Sequence, residues 1–248
     1  MKRSVKILVL AMVLVLALGR ACLAAAEPGR LSMVFLGGDG DIEESPNNVF
    51  RNILRHHEDL RDKGDTFLIR SYKNDYSNGT AMQQARLAEK NLSADGINVV
   101  AGFSHGGQSV YFMNLDNVTD VFLFDSCVSI GGKCSGTNYE AKGRVWSEWM
   151  LETARKGINV HFFVSIGKHN EPSGDKIALK KLAAAAEEDE TLEALDDGWY
   201  RVLNKKGKEI ARIETALLQG THKDICIITE DRVARRLYEL LGEEVNNE

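Results

Sequence analysis

A dense cluster of lysine or arginine is missing from this chain, whose formal net charge is -5 over 248 residues. Without a cationic stripe there is no electrostatic footing for nucleic acid. Internal repeats, heptad runs and low-complexity linkers are also absent, which excludes solenoids, coiled coils and strings of small modules. Long apolar runs are lacking too. The longest, residues 7–18, is short for a membrane span, and Arg20 interrupts its extension. Cysteine is scarce, with four residues in all, too few for a disulfide-dense scaffold.

What stands at the N-terminus fits a secretory signal. Lys2 and Arg3 precede the apolar run, and Ala24, Ala25 and Ala26 follow it, placing cleavage before Glu27. A retained anchor is the alternative. Lipoprotein processing at Cys22 is discounted, because Gly19-Arg20-Ala21 lacks the usual apolar residue at the third position upstream. The expected layout is a signal over 1–26 and one domain over 27–248, acting in a secreted or periplasmic setting. Three cysteines then remain, Cys127, Cys134 and Cys226. In an oxidising compartment Cys127 and Cys134 can close a loop around Gly131 and Gly132, contributing about 2–3 kcal/mol by loop entropy. The odd count equally allows no bridge, with Cys226 simply buried.

Short apolar runs alternate with helical patterns through the remainder, which predicts βαβ units and a mainly parallel central sheet with helices on both faces. Strands are expected at Leu31–Leu36, 66–70, Ile97–Phe103, Asp120–Phe124, 158–164, Trp199–Leu203 and 209–217. Helices are expected at 48–61, 80–92, after Ser104, and at 141–156, 177–195 and 231–241. Asn204-Lys205-Lys206-Gly207 reads as a hairpin turn.

The most informative stretch is Gly102-Phe103-Ser104-His105-Gly106, set between an apolar strand and a helix. A serine at that corner presents its hydroxyl from a strained turn, and side chains in place of Gly102 or Gly106 would collide across it. The following helix aims its amide groups at the place where an oxyanion would form. These residues, with a histidine far downstream, resemble the α/β-hydrolase superfamily across most of residues 31–241.

The resemblance implies a serine hydrolase acting on an ester, thioester or amide through an acyl-enzyme, with Ser104 as nucleophile and a small-molecule or lipid-like acyl substrate. No cofactor, metal, nucleic-acid partner or stable membrane span after signal removal is implied. His222 is the expected base, since it follows an apolar strand pattern and a glycine, where the superfamily carries its histidine. His169 is the competitor. His56 and His57 lie among charges, His161 lies inside a strand, and His105 contributes its backbone N–H. The acid has three candidates. The superfamily's Gly-x-x-Asp reads Gly167-Lys168-His169-Asn170 here, so asparagine stands where aspartate is usual. Glu171 or Asp175 can substitute, or Asp125 at the end of the preceding strand, which some relatives use. Asp125 is preferred.

For the oxyanion the expected backbone donors are His105 and the Gly38 and Asp39 groups of the Gly37-Gly38-Asp39 turn. The carboxylates Asp39, Asp41, Glu43 and Glu44 read as a solvated acidic loop that disfavours anionic substrates, with calcium as the lesser alternative. Trp146 and Trp149 line either an acyl pocket or an ordinary core face. Two other functions compete with hydrolysis. One is a non-catalytic binding protein on the same scaffold. The other is phosphate-ester binding at the Gly37–Gly38 turn.

Overall fold

A computed structural model of the chain describes residues 30–41, 44–70, 75, 77–126, 138–166 and 174–243. The signal reading, Cys127, Cys134, Gly167, His169, Asn170 and Glu171 fall outside these residues. Among the described residues eight strands form a single sheet. They are β1 (Leu31–Leu36), β2 (Gly64–Ile69), β3 (Ile97–Phe103), β4 (Asp120–Phe124), β5 (Asn159–Ser165), β6 (Leu192–Ala194), β7 (Trp199–Leu203) and β8 (Glu209–Leu218). Their spatial order is β2-β1-β3-β4-β5-β8-β7-β6, parallel from β2 to β8 and antiparallel at the β8-β7-β6 end.

Helices cover both faces, because alternate residues of each central strand are apolar in both directions. One layer receives Val34, Val100, Val121 and Phe162 from the sheet. Against them pack α3 (Asn78–Glu89), α4 (His105–Tyr111), α5 (Tyr139–Arg155) and α6 (Gly174–Glu188). The other layer receives Met33, Phe35, Val99, Phe122 and Phe163. It is closed by α1 (Val49–His56), α2 (Glu58–Arg61), α7 (Ile225–Ile228) and α8 (Glu230–Leu241). Asn48, Ser77 and Asn138 cap α1, α3 and α5 by accepting from backbone N–H groups in their first turns. This is the expected α/β class, compatible with an α/β-hydrolase-like fold. Among the described residues no helix is long and apolar enough to cross a membrane.

Two expectations need correction, and one open alternative is decided. The helix expected at 48–61 breaks at His57, whose ring meets Tyr238 Oη at 3.2 Å while Tyr238 donates to Asp59 at 2.8 Å. The helix expected at 177–195 stops at Glu188. Asp189 Oδ1 then accepts from Thr191 N–H at 2.9 Å and Thr191 Oγ1 at 2.7 Å, a turn that feeds the short strand β6. For Trp146 the core-face alternative holds. It is 1% exposed, and its indole donates to Ser126 O at 3.1 Å. The hairpin turn is present, with Gly207 at φ 74° and its N–H donating to Asn204 O at 2.8 Å.

Candidate functional site

Chain order and spatial order part company between β1 and β3: from β1 the chain goes out to β2, then returns to the far side of β1. In open α/β sheets the crevice at the carboxyl ends of such strands is the favoured ligand site. Here the Gly37–Gly38 turn leaves β1 and Ser104 leaves β3.

Ser104 has φ 53° and ψ -118°, an arrangement that side chains rarely adopt. Close packing imposes it. A Cβ at Gly106 would lie 1.9 Å from Leu36 O, and one at Gly102 would lie 2.8 Å from Val110 Cγ2. Without those methyl groups α4 settles directly onto the ends of β1 and β3. Ser104 N–H donates to Phe124 O at 3.0 Å, which ties the corner to β4. The β1 turn comes equally near, since a Cβ at Gly38 would fall 3.1 Å from Ser104 Cβ.

Asp125 follows β4 and is the second non-glycine residue of the site at positive φ, 41°. Its carboxylate is well held. Oδ1 accepts from Ser165 N–H at 2.6 Å, and Oδ2 accepts from Ser165 Oγ at 2.5 Å. His222 Nδ1 meets the same Oδ2 at 3.1 Å. The Asp125 side chain is 9% exposed and that of His222 50% exposed, so one end of the pair is anchored and the other faces the crevice. A carboxylate can only accept, so Nδ1 carries the proton and Nε2 is left as the basic nitrogen. The His222 ring also stacks on Phe103, with centroids 4.7 Å apart. His222 is thereby beside the residue before Ser104, and near enough to His105, the residue after, to act on it electrostatically. Ser104 Oγ itself makes no hydrogen bond among the described residues.

Asp175 opens α6 and does not bond to His222. The residue keeps some solvent exposure. Even so, burial of its carboxyl and the charge of Asp125 push its pKa up to about 8, against a smaller opposing effect of Lys142. The buried Lys142 is lowered by desolvation, partly offset by Asp175. His105 is lowered by burial, with Asp39 opposing and His222 and Lys142 reinforcing, which favours a neutral ring. Cys226 is buried behind the site, and burial with the charges of Asp41 and Asp125 pushes its thiol well up, so it is no nucleophile.

The β1 turn departs from expectation. Asp41 is 8% exposed and is not part of a solvated loop. Its Oδ2 accepts the Gly38 N–H at 2.6 Å, and Oδ1 accepts from Ser45 Oγ and Asn47 Nδ2, each at 3.0 Å. The Gly38 amide assigned above to an oxyanion is therefore engaged, and a carboxylate fills the cradle that phosphate binding at this turn would need. The other two donors expected from the sequence are the backbone amides of Asp39 and His105. Ser165 and Lys142 escaped the sequence reading, and Asp41 was read only as part of an acidic loop, because a strand-end serine, one aspartate among several and a helical lysine carry no spacing signal. Among the described residues no group of three or more histidine, cysteine or acidic side chains is arranged to hold a metal ion.

Compared with known proteins, the chain matches no family model, and no curated protein is recognisably similar to it.

Proposed function

We propose that this chain is a serine hydrolase of the α/β-hydrolase type, cleaving an ester, thioester or amide through an acyl-enzyme. The observation that carries this reading is the 3.1 Å contact between Asp125 and His222, at the strand ends where Ser104 occupies a strained corner. Ser104 Oγ attacks the substrate carbonyl carbon while His222 Nε2 takes its proton. The His105 and Asp39 N–H groups stabilise the oxyanion. As the tetrahedral intermediate collapses, the bond to the leaving group breaks and His222 returns the proton to that group. Water then attacks the acyl-enzyme, again deprotonated by His222, and frees the acid and Ser104. Asp125 fixes the imidazole tautomer and offsets the charge of the imidazolium throughout. Hydrogen bonds of this kind tighten only with substrate bound, which accommodates an unbonded Ser104 Oγ in the free protein.

The mature protein, assayed on chromogenic esters of graded acyl length, tests the reading. Ser104→Ala and His222→Ala should each lose on the order of 10⁴-fold or more in kcat, and Asp125→Asn about 10³–10⁴-fold, with folding retained. Turnover that survives Ser104→Ala would overturn it. The unbonded Ser104 Oγ and the engaged Gly38 amide favour a second reading, a binding protein on the same scaffold. Complete lack of turnover across the ester panel would favour that one. We further read residues 1–26 as an export signal; sequencing the N-terminus of exported protein should give Glu27 first.

A further inference from the structure

A second cleft lies at the β2 edge of the sheet and owes nothing to the hydrolase reading. Between α1, α2 and the edge strand β2 is a cleft of about 460 Å³, lined by Arg51, Arg55 and Arg61 together with Thr66, Leu54 and Leu68. Arg51 and Arg55 are one helical turn apart and share a side of α1. Thr66 and Leu68 alternate along β2 and share its face. Among the described residues no acidic side chain lines the cleft.

Three guanidinium groups gathered in a protein of net charge -5 repel one another unless an anion sits among them. The chain supplies little to that end. Glu44 Oε1 stands 3.8 Å from Arg51 and is 66% exposed, and Glu58 Oε1 stands 3.9 Å from Arg61 and is 79% exposed. Exposed pairs at such separations contribute little. Arg55 makes no ion pair or hydrogen bond among the described residues. Two enclosed donors also lack acceptors there: Arg51 Nη1 and Thr66 Oγ1 are both buried without a hydrogen-bond partner. Buried donors left in that state cost free energy that a ligand oxygen would recover. Another arginine-lined cleft, beside α8, differs on this point. There Arg232 is bound to Glu214 at 2.7 Å and Arg236 to Asp120 at 2.7 Å, so most of its positive charge is already neutralised.

We propose that the α1–β2 cleft binds the phosphoryl group of a phosphate monoester, held by Arg51, Arg55 and Arg61, with the Thr66 hydroxyl donating to one of its oxygens. A tetrahedral dianion matches three cations and several donors better than a single carboxylate does, and planar guanidinium forks grip its oxygens in pairs. The Leu54 and Leu68 side chains give the esterified group an apolar wall, and the volume falls within the range of small-molecule pockets. The same headgroup chemistry occurs in soluble monoesters and in lipid phosphates.

Isothermal titration calorimetry on the full mature chain tests the proposal with phenyl phosphate and inorganic phosphate. In parallel, phosphatidylcholine vesicles are compared with and without phosphatidic acid. Phenyl phosphate should bind, with Arg55→Ala at least about tenfold weaker and Thr66→Val roughly fivefold weaker. Arg235→Ala, in the other cleft, should stay within about twofold of wild type. Arg55 is exposed and otherwise unengaged, and valine matches threonine in shape, so neither change threatens folding. Binding only to phosphatidic acid vesicles, with the same dependence on Arg55 and Thr66, assigns the phosphoryl group to a lipid and upholds the site. Equal affinity in wild type and Arg55→Ala would overturn the proposal. So would absence of binding to both phosphates up to about 10 mM and to both kinds of vesicle.

Discussion

Ser104 and Asp125 hold backbone conformations that cost about 1–3 kcal/mol each, and both side chains lie at the same strand ends. Strain of that size persists only where packing over-determines it. The glycine contacts impose it at Ser104, and the Ser165 bonds and the Asp125 N–H donation to Phe163 O at 2.9 Å impose it at Asp125. Asp175, close by, has an opposite problem. Its pKa rises from 3.8 to about 8 on folding, so the unfolded chain releases this proton first. Between roughly pH 4 and pH 8 the folded state therefore holds the extra proton, and stability declines as pH rises through that window. Asp175→Asn removes this contribution. The variant should melt higher than wild type at pH 8.5 and show no such advantage at pH 4, as measured by thermal denaturation. A difference that does not vary with pH would contradict the assignment. At this scale the sequence was legible where spacing encodes geometry. Gly102, Ser104 and Gly106 announce their corner, whereas Asp41 and Ser165 act through contacts that no local pattern records.

Between elements, a dense polar arrangement lies inside the sheet. His161 of β5 is fully buried, with Nε2 2.8 Å from Asp120 of β4 and Nδ1 2.7 Å from Glu214 of β8. From α8, Arg236 reaches Asp120 and Arg232 reaches Glu214, each at 2.7 Å, and the Trp199 ring of β7 stands edge-on to the imidazole. Both ring nitrogens face carboxylates, so both donate and the ring is an imidazolium. Burial opposes that charge, but the hydrogen bonds and charges of Asp120 and Glu214 outweigh it and raise the pKa above the ordinary 6.5. The resulting stabilisation is complete below about pH 6.5 and is lost as pH rises through the higher folded value. His161→Asn leaves two buried carboxylates short of a partner and should cost roughly 3–5 kcal/mol. It should also abolish the alkaline decline that denaturant titrations of wild type would show. This clamp joins β8, which leads into the loop carrying His222, to α8, which follows that loop after α7. The sequence marked His161 only as a histidine in a strand, since its partners come from positions 120, 214, 232 and 236. Likewise β6 was hidden, because three residues with exposed Glu193 and Ala194 look like the tail of the alanine-rich helix before them.

Over the whole molecule, the parallel sheet could be read directly, because apolar strands and amphipathic helices alternate with unambiguous periods. The candidate site depends on that long-range order. It draws on residues 38–41, 104–105, 125, 165 and 222, delivered by β1, β3, β4, β5 and the loop after β8. Order of appearance along the chain fixed Ser104 and His222 as candidates, but only the strand order β1-β3-β4-β5-β8 brings Asp125 beneath His222. The most direct test is covalent capture of the nucleophile. Folded mature protein treated with a fluorophosphonate probe should gain one adduct, mapped by peptide mass spectrometry to Ser104, with labelling abolished in Ser104→Ala and slowed at least about a hundredfold in His222→Ala. Folded protein that takes up no label, or takes it up at another residue, would contradict the account.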